Sequence, residues 1–138
     1  MQVLYTAHAL ATGDGRNGYV KSDDGLIDTA VAMPPEMGGK GGATNPEQLF
    51  AAGYAVCFHN ALRLVARQTN ANVEGSEVSA AVGLGPIDGG RYNVTVALKI
   101  NLPGMDKAQA KQLVDTAHQV CPYSNATRGN IEIDLEIV

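Results

Sequence analysis

Two cysteines stand out in this 138-residue sequence: Cys57 in "NPEQLFAAGYAVCFHNALRLVARQ" and Cys121 in "HQVCPYSNATRGN". They are far apart in the chain, and in a reducing compartment a static disulfide between them would not persist, so they are either two inert thiols or a working redox pair. A buried cysteine commonly behaves as a small inert hydrophobe, whereas a reactive one must reach the thiolate form. Cys121 falls at the C-terminal end of a predicted helix, where the dipole is negative, and is a poor first nucleophile. Cys57 lies in mid-helix, within a run from Leu49 to Phe58 that carries no charge, so burial raises its pKa and a cation must come from elsewhere. Five arginines are candidates: Arg16, Arg63, Arg67, Arg91 and Arg128. Arg63 and Arg67 lie on the amphipathic part of the same helix and are readily solvated, while Arg16 and Arg128 sit in glycine-containing loops that can fold back. The residues alone leave that shortlist open. Metal binding has little support, because Cys57 and His59 are two apart on a helix, about 200° around it, and face opposite ways.

The elements that must position these groups can be placed from pattern. "VLYTAHALAT", "YVKS" and "LIDTAVA" are rich in strand formers and are separated by the turn-forming "GDGRNG" and "DDG", which predicts an antiparallel meander. "MPPEMGGKGGATN" is a loop whose glycines let backbone approach a neighbour or ligand closely. Asn45 caps the next helix, Pro46 fits its first turn and Glu47 suits its positive end, so a helix runs from there to about Gln68. Its first half is apolar all round, which predicts burial on every face. "VEGSEVSAAVGLGPI", "DGG" and "RYNVTVALKINL" form a hairpin. A second helix starts at Asp106 and ends before Pro122, and "IEIDLEIV" closes the chain as an alternating strand. The order is βββ-α-ββ-α-β, an α+β fold with two helices on antiparallel sheet in a single domain, 1–138.

Composition narrows the function. The net charge of -4 and pI of about 5.2 argue against nucleic acid and anionic membrane surfaces as partners. No signal-like N-terminus is seen, and the longest uncharged apolar run is expected to fall short of the roughly 20 residues that span a bilayer. A cytoplasmic protein acting on small solutes or protein partners is the expectation.

"TNPEQLFAAGYAVCF", the preceding "MGGKGGA", the early "GRNGYVKSDDG" and the late "VCPYSNATRGN" together resemble the organic hydroperoxide resistance proteins, the Ohr branch of the OsmC superfamily. The resemblance runs along essentially the whole chain and includes both cysteines. It implies antiparallel sheets wrapped around central helices in an intertwined homodimer. It also implies a thiol peroxidase in which Cys57 is the peroxidatic cysteine, Cys121 the resolving one, and Arg16 with Glu47 the polar pair that activates the thiol. No bound cofactor is implied. Recycling would come from dihydrolipoamide carried on a lipoylated protein rather than from thioredoxin or glutathione.

The chemistry suits those residue types. A thiolate attacks one peroxide oxygen while the other leaves as alkoxide, and an arginine beside the sulfur stabilises both charges. Glu47 can hold the guanidinium fork by a bidentate pair. The sulfenic acid left on Cys57 then condenses with Cys121 before further oxidation destroys it. Phe50, Tyr54 and Phe58 near the thiol, with Met33 and Met37 from the loop, would favour apolar organic hydroperoxides over hydrogen peroxide. Glu47 and Cys57 are ten positions apart on one helix, about 15 Å along its axis and roughly 80° off in direction. The site is therefore expected to be shared between two chains, with Gly53 allowing close approach of the second helix. The alternatives are a non-catalytic domain that binds a hydrophobic ligand, with inert thiols, and an OsmC-type peroxidase with broader peroxide use.

Overall fold

The computed structural model describes all 138 residues and forms two compact units, Met1–Leu49 and Phe50–Val138. The first unit holds the expected meander. Strands β1 (Ala9–Asp14), β2 (Asn17–Ser22) and β3 (Asp28–Ala30) make an antiparallel sheet in that order. β1 starts later than its strand formers suggest, and residues 3–8 lie outside it. Asp14 pairs with Asn17, which leaves Gly15 and Arg16 as a two-residue hairpin loop. Gly15 takes a positive φ of 60° at the first loop position, as a type II′ turn requires, and this puts Arg16 at the hairpin tip.

After β3, Val31 makes an isolated parallel bridge to Thr44, spanning the glycine-rich loop. A short 3-10 turn, Pro35–Met37, interrupts the loop. A Cβ at Gly39 would stand 1.9 Å from the Met33 carbonyl oxygen, so glycine is required for this close backbone approach.

Helix α1 (Pro46–Gln68) begins and ends where the sequence predicts. The Asn45 side chain accepts from the Gln48 backbone N–H at 2.9 Å, satisfying one of the free donors of the first turn. At 23 residues α1 is long and apolar enough to cross a membrane by length and composition, which corrects the expectation that no segment approaches that limit. Its stripe of Tyr54, Phe58, Ala61, Leu62, Val65 and Ala66 is instead buried in the protein's own core. The opposite face of the helix is left open within one chain. Leu49, Ala52 and Val56 follow one another at helical spacing and are exposed, Val56 at 72%, so the first half of α1 is not covered on every side within one chain.

The second unit builds on α1. Strands β4 (Glu77–Ile87) and β5 (Arg91–Asn101) form the long hairpin, its turn made by Gly89 and Gly90 at positive φ. Helix α2 (Lys107–Val120) is capped by Asp106, whose side chain accepts from the Gln109 backbone N–H. Strand β6 (Ile133–Ile137) then joins the sheet beside β5 and parallel to it, where the sequence suggests antiparallel pairing throughout. The helical crossover between β5 and β6 returns the chain in the same direction, which a tight hairpin could not do. The predicted order holds with one addition. Pro122 ends α2 but also opens a short helix, α3 (Pro122–Thr127), because proline is favoured at a first helical position. Ala110, Leu113, Val114 and Ala117 of α2 meet the α1 stripe and Val96, Leu98 and Ile100 of β5 in one core. Each large side chain so buried contributes roughly 1.5–3 kcal/mol.

Candidate active site

Arg16 and Glu47 meet in the first unit. The guanidinium donates from Nη1 to Oε2 at 2.8 Å and from Nη2 to Oε1 at 2.7 Å, a bidentate pair between the hairpin tip and the first turn of α1. Both side chains are partly buried, at 32% and 15% exposure, so water screens the pair less than it would on an open surface. The hydrogen bonds from Arg16 hold the Glu47 carboxyl below its ordinary range, and the same contact raises the Arg16 pKa.

Cys57 and Cys121 meet in the second unit. Both are reduced, with sulfur atoms 3.6 Å apart. A disulfide needs a separation near 2.05 Å, so the two atoms have only about 1.5 Å to close. Cys57 is partly exposed and Cys121 fully buried, so a reagent arriving from solvent meets Cys57 first. Burial pushes the Cys57 thiol above its ordinary pKa; a hydrogen bond with the Tyr123 backbone works against that, and the adjacent Cys121 adds to it. Cys121 stands at the C-terminal end of α2, as the sequence suggests, and also adjoins a second helix. Its backbone N–H donates to the Ala117 carbonyl at the end of α2, while its own carbonyl accepts from Asn125 at the start of α3. It stands between a helix C-terminus and a helix N-terminus, and it is the more buried of the two thiols.

An aromatic cluster forms between α1, which carries Cys57, and Tyr123, two residues after Cys121. Phe50 and Tyr54 meet edge to face with centroids 6.0 Å apart, and Tyr123 lies 5.7 Å from Phe50 and 5.5 Å from Tyr54. Tyr54 and Phe58, expected to line a substrate pocket, are both fully buried core residues. The Tyr54 hydroxyl is engaged with the Ser124 hydroxyl at 2.9 Å. Phe50 stays partly exposed. Tyr123 is the residue that sequence reasoning missed; its position two after Cys121 in "VCPYSN" was the available signal. It also explains Gly53. A Cβ there would lie 2.9 Å from the Tyr123 hydroxyl oxygen, so within one chain the glycine makes room for the Tyr123 side chain. Met33 and Met37 belong to the first unit. Met33 donates its backbone N–H to the Asn17 side chain, and Met37 ends the 3-10 turn with 43% of its surface exposed.

The other shortlisted arginines are occupied elsewhere or solvated. Arg63 and Arg67 are exposed on α1, and Arg91 donates to the Asp88 carbonyl at the hairpin turn. Arg128 donates to Asn125 and to the His118 carbonyl. Near that contact, the His118 Nδ1 is buried without a partner; burial lowers the His118 pKa, and the Arg128 charge lowers it further.

Residues 39–136 match the family model described as OsmC-like protein. The chain is 54% identical over 138 residues to the organic hydroperoxide resistance protein of Xanthomonas axonopodis pv. citri, covering 99% of this chain and 96% of that protein. Among solved structures, an organic hydroperoxide resistance protein from Legionella pneumophila superposes with a TM-score of 0.94 at 47% identity, covering 99% of this chain and 98% of that one. OhrB of Bacillus subtilis superposes with a TM-score of 0.90 at 43% identity, covering 99% of this chain and all of that one (100%).

Proposed function

This chain belongs to the OsmC-like protein family, on its organic hydroperoxide resistance branch, and from that membership we propose that it is a thiol peroxidase that reduces organic hydroperoxides to alcohols. The observation that carries the mechanism is the pairing of a partly exposed Cys57 with a buried Cys121 at 3.6 Å. The Cys57 thiolate attacks one oxygen of the hydroperoxide, the O–O bond breaks, and the other oxygen takes a proton and leaves as the alcohol. Cys57 is left as a sulfenic acid. Cys121 then attacks the Cys57 sulfur, the S–O bond breaks, and water leaves with the thiol proton, giving a disulfide. An external dithiol, dihydrolipoamide on a lipoylated protein, reduces the disulfide by two thiol exchanges and releases the oxidised dithiol.

Arg16, fixed in orientation by Glu47, is the cation proposed to bring the Cys57 pKa down and to offset charge on the leaving oxygen. Glu47 and Cys57 lie about 15 Å apart along α1, too far for the pair to act within one helix. Two chains are proposed to share each site, with the Arg16–Glu47 pair of one serving the Cys57 of the other. The uncovered apolar stripe of Leu49, Ala52 and Val56 supports a homodimer that buries this face. Phe50, Met33 and Met37 are proposed to make the apolar wall that selects alkyl or fatty acid hydroperoxides.

The deciding experiment is peroxide consumption with dihydrolipoamide as reductant, compared with dithiothreitol and thioredoxin, using an alkyl hydroperoxide and hydrogen peroxide in turn. Turnover with dihydrolipoamide and preference for the alkyl substrate are expected. No loss of titratable thiol after a stoichiometric alkyl hydroperoxide would leave the cysteines inert and end the proposal.

A further inference from the structure

The peroxidase mechanism makes no use of Arg128, although this arginine is tied to both helices that flank Cys121. Its Nη2 donates to the His118 carbonyl in the last turn of α2 at 2.7 Å, and its Nη1 donates to the Asn125 side chain on α3 at 2.7 Å. Asn125 in turn donates from Nδ2 to the Gln119 carbonyl at 3.1 Å. Two hydrogen bonds thus cross between the end of α2 and the α3 segment, Arg128 to His118 and Asn125 to Gln119, and the Arg128–Asn125 bond braces the two donors against each other; Cys121 is the residue between those helices. The carbonyls at a helix C-terminus lack partners within the helix and carry partial negative charge, so a guanidinium is well matched to them. On its other side, α3 is tied to α1 by the Tyr54–Ser124 hydroxyl pair, and α1 carries Cys57.

We propose that Arg128 is a positioning residue for Cys121: its clamp across the α2–α3 junction holds the buried thiol against Cys57 and sets how often the Cys57 sulfenic acid is captured as a disulfide. The proposal rests on the peroxidase mechanism above. The sulfenic acid has two fates. Attack by Cys121 on the Cys57 sulfur forms the S–S bond and releases water. Attack by the Cys57 sulfur on a second hydroperoxide breaks another O–O bond, gives a sulfinic acid and one more alcohol, and ends the cycle. The first fate depends on the placement of Cys121 and the second does not. Arg128 touches neither sulfur, so its loss should alter the partition and leave the first oxidation alone.

Dithiobis(nitrobenzoate) separates the steps without peroxide. Attack by Cys57 releases one thionitrobenzoate and leaves a mixed disulfide; attack by Cys121 on the Cys57 sulfur then expels the second. In Arg128→Ala the first release should stay within about twofold of the parent and the second should slow about tenfold, since misplacing reacting groups by 1 Å can cost up to about a hundredfold. Under excess cumene hydroperoxide, the sulfinic fraction of Cys57 read by mass spectrometry should rise alongside. Arg128→Lys, with a single-point donor, should fall between. Asn125→Ala cuts the same clamp from the other side, should repeat the Arg128→Ala result, and decides the matter if that variant does not fold. A second release as fast as the parent's, or equal slowing of both releases, overturns the proposal. If the parent closes its disulfide with dithiobis(nitrobenzoate) but not with hydroperoxide, the peroxidase mechanism fails while a slowed second release still supports the clamp.

Discussion

The sulfur atoms of Cys57 and Cys121 stand 3.6 Å apart across 64 positions of sequence, one partly open to solvent and the other sealed in the core. The proposed order of events, Cys57 first and Cys121 second, follows from that asymmetry. Cys57→Ser should abolish turnover. Cys121→Ser should consume one equivalent of hydroperoxide and then stall as a sulfenic acid or over-oxidise, as mass spectrometry of the intact protein would show. If the Cys121 variant failed to consume even that equivalent, the two roles would be reversed or shared.

Arg16 sits at a hairpin tip, so it can be removed with little damage to the core. Arg16→Ala should slow the first oxidation by about a hundredfold, the scale of losing one donor to a developing anion. Its stability should fall by no more than about 1 kcal/mol. Arg67→Ala, at an exposed position on α1, is the control. Equal losses of rate in the two variants would remove Arg16 from the site.

The Arg16–Glu47 pair should leave a mark on acid stability. The folded Glu47 pKa lies below its unfolded value, which is about 4.3. The stabilisation is fully present above that unfolded value and is lost as pH falls through the lower folded value. Glu47→Gln should therefore be less stable than the parent by about 1 kcal/mol at neutral pH, with the gap closing in strong acid. Urea titrations at neutral and acid pH measure it, and a gap that persists unchanged in acid would contradict the assignment.

Gly53 and Tyr123 should be coupled. A Cβ at Gly53 meets the Tyr123 hydroxyl at 2.9 Å and its ring carbons at 3.3 and 3.4 Å. Gly53→Ala should lose about 1–2 kcal/mol to overpacking even though alanine is the better helix former. In a Tyr123→Phe background the loss should shrink by half or more. An additive double-mutant cycle in thermal or urea unfolding would mean that the two residues do not share that space.

Shared sites predict complementation. Inactive Cys57→Ser and Glu47→Ala chains, refolded together, should recover activity, because the chain with an intact Cys57 receives its Glu47 from the other. Heterodimers present without recovered activity would confine the whole site to one chain.

Periodicity and capping chemistry were enough to locate α1 and α2, since Asn45 and Asp106 each accept the backbone N–H that their spacing predicts. The long β4–β5 hairpin was equally legible from its glycine turn. The meeting of Arg16 with Glu47 and of Cys57 with Cys121 was available only through family resemblance, because long-range contacts leave no periodic trace. The parallel direction of β6 was hidden for a related reason: an alternating strand has the same pattern in either direction. Pro122 misled by its dual character, as a breaker of one helix and a starter of the next. Tyr123 was missed because a tyrosine beside a cysteine carries no signal until the backbone bends it toward Gly53.

The parallel β5–β6 pairing bears on the kinetics of folding. The β4–β5 hairpin closes through local contacts and can form early, but β6 can join only after the intervening segment with α2 and α3 has been brought back, and that larger loop closure is entropically costly and slow. Cys121 lies within this late-closing crossover. During refolding, Cys57 should therefore be present on a formed helix before its partner thiol arrives, and a chain refolded in the presence of oxidant would pass through an interval in which the first thiol can be oxidised but not rescued.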